Sequence, residues 1–177
     1  MRAISRPVLV LALAVMLVAA ACSSDDAGTA AGGGADGGGG GMSSLDFTAA
    51  QLGGGELDGA SLAGTDTVLW FWAPWCTVCR AQAPDVNTAV AGIGDDVRLV
   101  GVAGRGEVPE MEGFVADTDT GGIEHLIDDD GSIWRSFGIT SQPAFAFIDD
   151  SGEVVDVHVG SLGEEALLER MQELAAT

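Results

Sequence analysis

Trp75-Cys76-Thr77-Val78-Cys79 is the stretch of this 177-residue chain whose residue types and spacing point most directly to chemistry. Two cysteines three positions apart can join as a disulfide, and in thiol–disulfide exchange the thiolate is the attacking species. The segment before them, Thr67 to Trp72 (TVLWFW), is a run of β-branched and aromatic residues that predicts a strand buried on both faces. Pro74 ends that run, and a helical pattern opens near Cys76. A helix start presents unpaired N–H groups and the positive end of the peptide dipoles, both of which favour a negative sulfur. Cys76 is therefore the expected low-pKa nucleophile. Cys79 is the thiol that turns back to resolve a mixed disulfide formed at Cys76.

Alone, C-x-x-C leaves two other uses open. One is half of a structural zinc site, but zinc needs four ligands and the chain has no second C-x-x-C. Its only histidines, His125 near a loop and His158 in an alternating strand, read as surface or core-edge residues rather than ligands. No metal and no other cofactor is expected. The other use is a purely structural disulfide, although closing so short a loop constrains the chain little.

The elements that must position this turn follow from hydrophobic periodicity. Leu45 to Ala49 and Gly55 to Leu57, with glycines between, predict a small β-hairpin, and Asp58 to Leu62 a turn or short helix. After the strand at Thr67 to Trp72, Val78, Ala81, Val86, Ala89 and Val90 suit a helix, with a kink expected at Pro84. Val97 to Ala103 predicts a second buried strand, and Val108 to Ala116 an amphipathic helix with Met111, Phe114 and Val115 in register. Asp129-Asp130-Gly131 predicts a turn, and Ser132 to Phe137 a short helix stopped by Gly138. Ala144 to Ile148 predicts a strand, Asp149 to Gly152 a hairpin loop, and Val154 to Val159 a half-buried antiparallel partner. Glu164 to Ala176 predicts a last helix with Leu167, Leu168, Met171 and Leu174 inward. The class is α/β: a mixed β-sheet flanked by helices, with an N-terminal β-hairpin.

The run from Trp70 through Ala73-Pro74-Trp75-Cys76 to Arg80 resembles the active-site segment of the thioredoxin superfamily. Gly138-Ile139-Thr140-Ser141-Gln142-Pro143-Ala144-Phe145 matches that family's cis-proline loop in its spacing. The resemblance covers Leu45 to about Ala175. Within the superfamily it is to the TlpA/DsbE-like group, most closely the exported DsbE-like thiol–disulfide oxidoreductases of actinobacteria. It implies a thioredoxin fold with Cys76 attacking and Cys79 resolving. It also implies a cis Pro143, with Gln142 exposing backbone groups that pair with a substrate chain, and Trp75 flanking the disulfide as an apolar contact. On the residues alone, Pro143 is a strand-start proline.

Two departures from the family bear on direction. Thioredoxin carries a buried Asp where this chain has Trp70, and many TlpA-type reductases carry a Glu where it has Gln82. Both acids handle the resolving cysteine's proton during reduction, so their replacement leans toward an oxidase. Thr77-Val78 supplies no His to stabilise the Cys76 thiolate, so the resemblance does not imply a strongly oxidising potential.

The N-terminal region sets the compartment. Arg2 and Arg6 precede Val8 to Ala21, an apolar run of fourteen residues, where a membrane span needs about 20. With the small residues Ala19-Ala20-Ala21 it predicts a signal peptide over residues 1–21. Ala19-Ala20-Ala21-Cys22 resembles the lipobox of bacterial lipoproteins, with Ala at a first position more often Leu or Val. Acylation of Cys22 is thereby implied, and it accounts for the odd third cysteine. Residues 22–44, with nine glycines from Gly28 to Gly41, are expected to form the lipidated cysteine and a disordered tether spanning roughly 25 Å. Residues 45–177 are expected to be the thioredoxin-like domain. The expected location is extracytoplasmic, at the outer face of the cell membrane through Cys22, with secretion as the alternative. Without Arg2 and Arg6 the chain has five arginines against 27 acidic residues, a net of −22. That charge argues against binding nucleic acid or anionic headgroups.

The leading function is a thiol–disulfide oxidoreductase acting on exported protein cysteines, leaning to oxidase and recycled by an unidentified membrane redox partner. One alternative is a reductase that keeps apocytochrome c thiols reduced during cytochrome c maturation. Another is a redox-inert peptide-binding thioredoxin-fold module, against which the retention of both Cys76 and Cys79 speaks.

Overall fold

In the computed structural model, which describes residues 44–176, β1 (Thr48–Ala50) and β2 (Glu56–Asp58) pair antiparallel as a separate two-stranded sheet. The turn after them is a 3-10 helix, Gly59–Leu62, capped by the Asp58 carboxylate, which accepts from the Ala60 N–H at 3.0 Å. There follow β3 (Thr67–Trp72), α1 (Thr77–Ile93), β4 (Arg98–Gly104), α2 (Val108–Thr118), β5 (Glu124–Asp128), α3 (Ser132–Ser136), β6 (Ala144–Ile148), β7 (Val154–Val159) and α4 (Glu164–Leu174). The main sheet runs β5-β4-β3-β6-β7. Strands β3, β4 and β5 are parallel, and β6 and β7 antiparallel to their neighbours. All six residues of β3 are buried because it is the central strand with both faces covered.

Side chains alternate across β3 and divide the core in two. Val68, Trp70 and Trp72 join Phe145, Phe147 and the inner faces of α1, α2 and α4. Leu69 and Phe71 join Val100, Val102, Leu126, the α3 residues Ile133 and Trp134, and the hairpin residues Ala49 and Leu57. Of the three α2 residues expected in register, Met111 and Phe114 are fully buried and Val115 packs at the margin. In α4, Leu167, Met171 and Leu174 are buried and Leu168 packs at the margin.

Four details differ from the sequence reading. A strand, β5, lies where no strand is predicted, and it carries His125, which is 3% exposed and lies in the core rather than at the surface or core edge. Glu124-His125-Leu126-Ile127-Asp128 has too few aliphatic residues to show as a buried parallel strand, because His125 and Asp128 are buried through specific hydrogen bonds instead. The core face of α1, a helix with Pro84 inside it, is Cys79, Gln82, Ala83, Val86, Ala89 and Ile93. Val78 and Ala81 fall on its outer side, with Val78 half exposed. Strand β7 is the open edge of the sheet, so Val155, Val157 and Val159 are exposed rather than half-buried.

Candidate active site

Strand β3 ends in the core at Trp72 and Ala73, and the Cys76 N–H turns back to the Ala73 carbonyl at 3.0 Å. Cys76 is thereby the N-cap of α1, in extended backbone geometry. Its sulfur accepts the Cys79 N–H at 3.0 Å, in the manner expected of an N-cap acceptor at the positive end of a helix. The two cysteines form a disulfide with their Cα atoms 5.3 Å apart. Cys79 is wholly buried, whereas Cys76 retains 5% exposure. Cys76 is thus the more accessible of the two residues. Among the described residues no group of three His, Cys, Asp or Glu side chains forms a metal-binding cluster.

Phe71 on β3 pairs with Ala144 on β6, which sets the Gln142–Pro143 loop beside the end of β3 that leads into the cysteine turn. Trp75 is 60% exposed, the most exposed large apolar side chain among the described residues, and its indole N–H donates to the Arg105 carbonyl at 2.7 Å. The Gln142–Pro143 peptide is cis. The Pro143 carbonyl accepts the Gly160 N–H at 2.8 Å, which ties the loop to the end of β7. Gln142 Oε1 accepts from Arg105 Nη1 at 3.0 Å. Cys22 lies outside the described residues, as do the expected signal peptide and nearly all of the tether.

Beneath the motif the polar groups are neutral. Gln82, 3% exposed, donates through Nε2 to the Leu162 carbonyl at 2.9 Å. Its Oε1 and the Trp70 indole N–H are the two buried side-chain polar atoms without a hydrogen-bond partner among the described residues. Trp72 stacks on Phe114 at 4.1 Å between ring centroids and donates its indole N–H to His125 Nδ1 at 3.2 Å. Since Nδ1 accepts, the proton of the neutral ring sits on Nε2 and is donated to the Thr120 carbonyl at 3.0 Å. Burial lowers the His125 pKa from its ordinary value, against the opposing effect of the Thr120 bond. Gly101, on β4 between Trp70 and His125, leaves the room in which the Trp72–His125 bond is made.

Sequence reasoning missed Arg105 and His125 as parts of this region. A signal for Arg105 was available: the end of β4 must lie beside the end of β3 if the two are parallel neighbours, and loops at such ends converge on the site. For His125 the only signal was a histidine two residues after Ile123, which is indistinguishable from a loop histidine.

Known proteins are similar to this chain over most of its described length. The Redoxin family model matches residues 40–172. The soluble secreted antigen MPT53 of Mycobacterium tuberculosis is 38% identical over 134 residues, 75% of this chain and 76% of that protein. A solved structure described as MTB dsbF in its mixed oxidized and reduced forms is 43% identical, with a TM-score of 0.71 over 75% of this chain and 97% of the other. A secreted Mycobacterium tuberculosis disulfide oxidoreductase, described as homologous to E. coli DsbE, is 36% identical, with a TM-score of 0.68 over 74% and 98%. With its cysteine pair at a strand-to-helix turn and a cis-proline in the facing loop, this chain belongs to the Redoxin family of the thioredoxin superfamily and is a thiol–disulfide oxidoreductase.

Proposed function

We propose that this enzyme works as an oxidase, its Cys76–Cys79 disulfide taking two electrons from paired thiols of exported proteins. A client thiolate attacks Cys76 Sγ, the Cys76–Cys79 bond breaks, and Cys79 leaves as a thiolate that takes up a proton. The client's second thiolate then attacks the mixed disulfide at the client sulfur, and Cys76 leaves. The client gains a disulfide, and the enzyme holds the two electrons and two protons as a dithiol. The observation that carries this direction is that Trp70 and Gln82, both buried, are neutral where reductases of this superfamily hold an acid. With no carboxylate at either position to take the Cys79 proton, neither supplies a base for the attack a reductase needs from Cys79. Trp75 supplies apolar contact to the client, and the Gln142–Pro143 segment pairs with its backbone.

The rest of the chain fits an exported enzyme. We assign residues 1–21 to a signal peptide, Cys22 to acylation, residues 22–44 to a tether and residues 45–177 to the catalytic domain, outside the cytoplasm. Two similar proteins are described as secreted. A membrane redox partner reoxidises the dithiol. Equilibration with glutathione buffers tests the direction on a scale from about −270 mV for thioredoxin to about −120 mV for DsbA. A potential near the upper end supports the oxidase, and one at or below the lower end sinks it. Cys79→Ser is expected to accumulate mixed disulfides with clients at Cys76, and Cys76→Ser to trap none.

A further inference from the structure

Arg105 joins the two sides of the site from a backbone conformation that arginine seldom adopts. Its φ is +59°, in the left-handed region where the Cβ of an L-residue crowds the backbone. The glycines on either side leave the chain no slack: a Cβ on Gly106 would collide with the Pro74 ring, and one on Gly104 would lie 2.8 Å from the Trp134 indole nitrogen. Held this way, the Arg105 carbonyl accepts the Trp75 indole N–H at 2.7 Å. The guanidinium donates to Gln142 Oε1 at 3.0 Å and to the Thr140 carbonyl at 2.9 Å, with Cζ 4.7 Å from the centroid of Trp134. Arg80, Arg98 and Arg170 each pair with a carboxylate. The fork of Arg105 is instead directed at neutral acceptors of the cis-proline loop.

We propose that Arg105 is a positioning residue that latches Trp75 to the cis-proline loop, fixing the spacing of the two walls between which a client segment sits against Cys76. The inference rests on the client groove assigned above, and it gives that groove its specificity for polypeptide over small thiols. A peptide laid across Trp75 and Gln142–Pro143 touches both walls. Walls already held together need no ordering when it binds. Glutathione, too short to engage both, gains little. The latch makes no hydrogen bond to either sulfur, so it leaves the balance between disulfide and dithiol alone.

The test uses the full chain and a synthetic peptide bearing two cysteines, with glutathione disulfide as terminal oxidant. The same comparison is run in reverse, with pre-reduced enzyme and the oxidised peptide, so that the latch is decided whichever direction the enzyme favours. Arg105→Gly keeps the backbone turn and removes the fork. It is expected to raise KM for the peptide about tenfold, or about 1.4 kcal/mol, with a smaller change in kcat. The equilibrium constant with glutathione should stay within about twofold. Arg105→Lys, with its charge kept but its planar fork gone, should restore only part of the lost affinity. An unchanged KM in Arg105→Gly overturns the latch. A lysine variant equal to wild type, together with a glycine effect abolished by high salt, overturns it too, because charge alone would then suffice. Failure of the forward reaction with success of the reverse overturns the oxidase direction and leaves the KM comparison to judge Arg105.

Discussion

Replacing His125 by Gln should flatten the dependence of stability on pH between 7.5 and 5.5. His125 Nδ1 can accept the Trp72 indole proton only while that nitrogen carries none, and both partners are buried. Protonation would set two N–H groups facing each other with no acceptor between them. Burial accordingly holds the imidazole's pKa below 6.5 in the folded protein. The sign follows: near pH 6 the unfolded chain binds a proton at this residue that the folded one refuses. Its contribution is therefore complete above the unfolded pKa and lost as pH falls below it. With an unfolded pKa of about 6.5, one site changes stability by at most about 1.4 kcal/mol from pH 7.5 to 5.5. For a domain of this size that is about 5 °C in melting temperature. Asp128 works the other way, since burial raises its pKa, and acidification favours its folded form. The quantity to read is thus the difference between wild type and His125→Gln, whose amide can accept from Trp72 and donate to Thr120 without titrating. Denaturant midpoints at pH 7.5, 6.5 and 5.5 should fall for wild type relative to His125→Gln as the pH drops. If both lose stability in parallel, a buried neutral imidazole is not the source of the pH dependence.

Gly101→Ala would drive a Cβ into the His125 ring and to 2.9 Å from the Trp72 indole nitrogen. It should cost about 3 kcal/mol in denaturant unfolding. Asp128→Ala removes the acceptor of the Ile133 and Trp134 N–H groups, at 3.2 and 2.8 Å, from the start of α3. Its expected cost is about 2 kcal/mol, with Asp128→Asn recovering part in the same unfolding assay. Gln82→Glu would put a carboxylate oxygen where Nε2 now donates to the Leu162 carbonyl at 2.9 Å. Burial must raise the pKa of that acid, so the variant's deficit in melting temperature against wild type should be larger at pH 8 than at pH 5.

The parts of the site that lie on one stretch of chain were legible in the sequence. Thr67 to Cys79 contains its own strand, turn and helix start, and each of the three leaves a local mark: β-branched and aromatic residues, Pro74, and a sulfur that can cap N–H groups. The cis-proline loop came through resemblance and not through periodicity, since nothing local separates Pro143 from any proline opening a strand. The contributions of Arg105 and His125 were hidden because their partners are distant in sequence. The Arg105 bonds to Trp75 and Gln142 cross 30 and 37 residues, and the Trp72–His125 bond crosses 53. A strand such as β5, half polar and held by side-chain hydrogen bonds, resembles a loop until its neighbour β4 is in place.

That dependence on neighbours also explains why the neutral floor beneath the disulfide is more than the loss of one acid. Trp70 on β3 faces Gly101 on β4, and Gly101 faces His125 on β5, in one row across the sheet. An indole in the first position, 6.0 Å from Trp72 and 6.1 Å from Phe114 between ring centroids, fills a volume that an aspartate could not. Glycine in the second position leaves the gap through which Trp72 reaches His125. Restoring an acid by Trp70→Asp would therefore open a cavity among aromatic rings and bury a carboxylate there without a partner. That change would destabilise the fold before it could assist a proton transfer from Cys79. A reductive chemistry built on an acid at the Trp70 position would require the row from Trp70 to His125 to change together, so the direction proposed for this enzyme is rooted in its core packing as much as in its two cysteines.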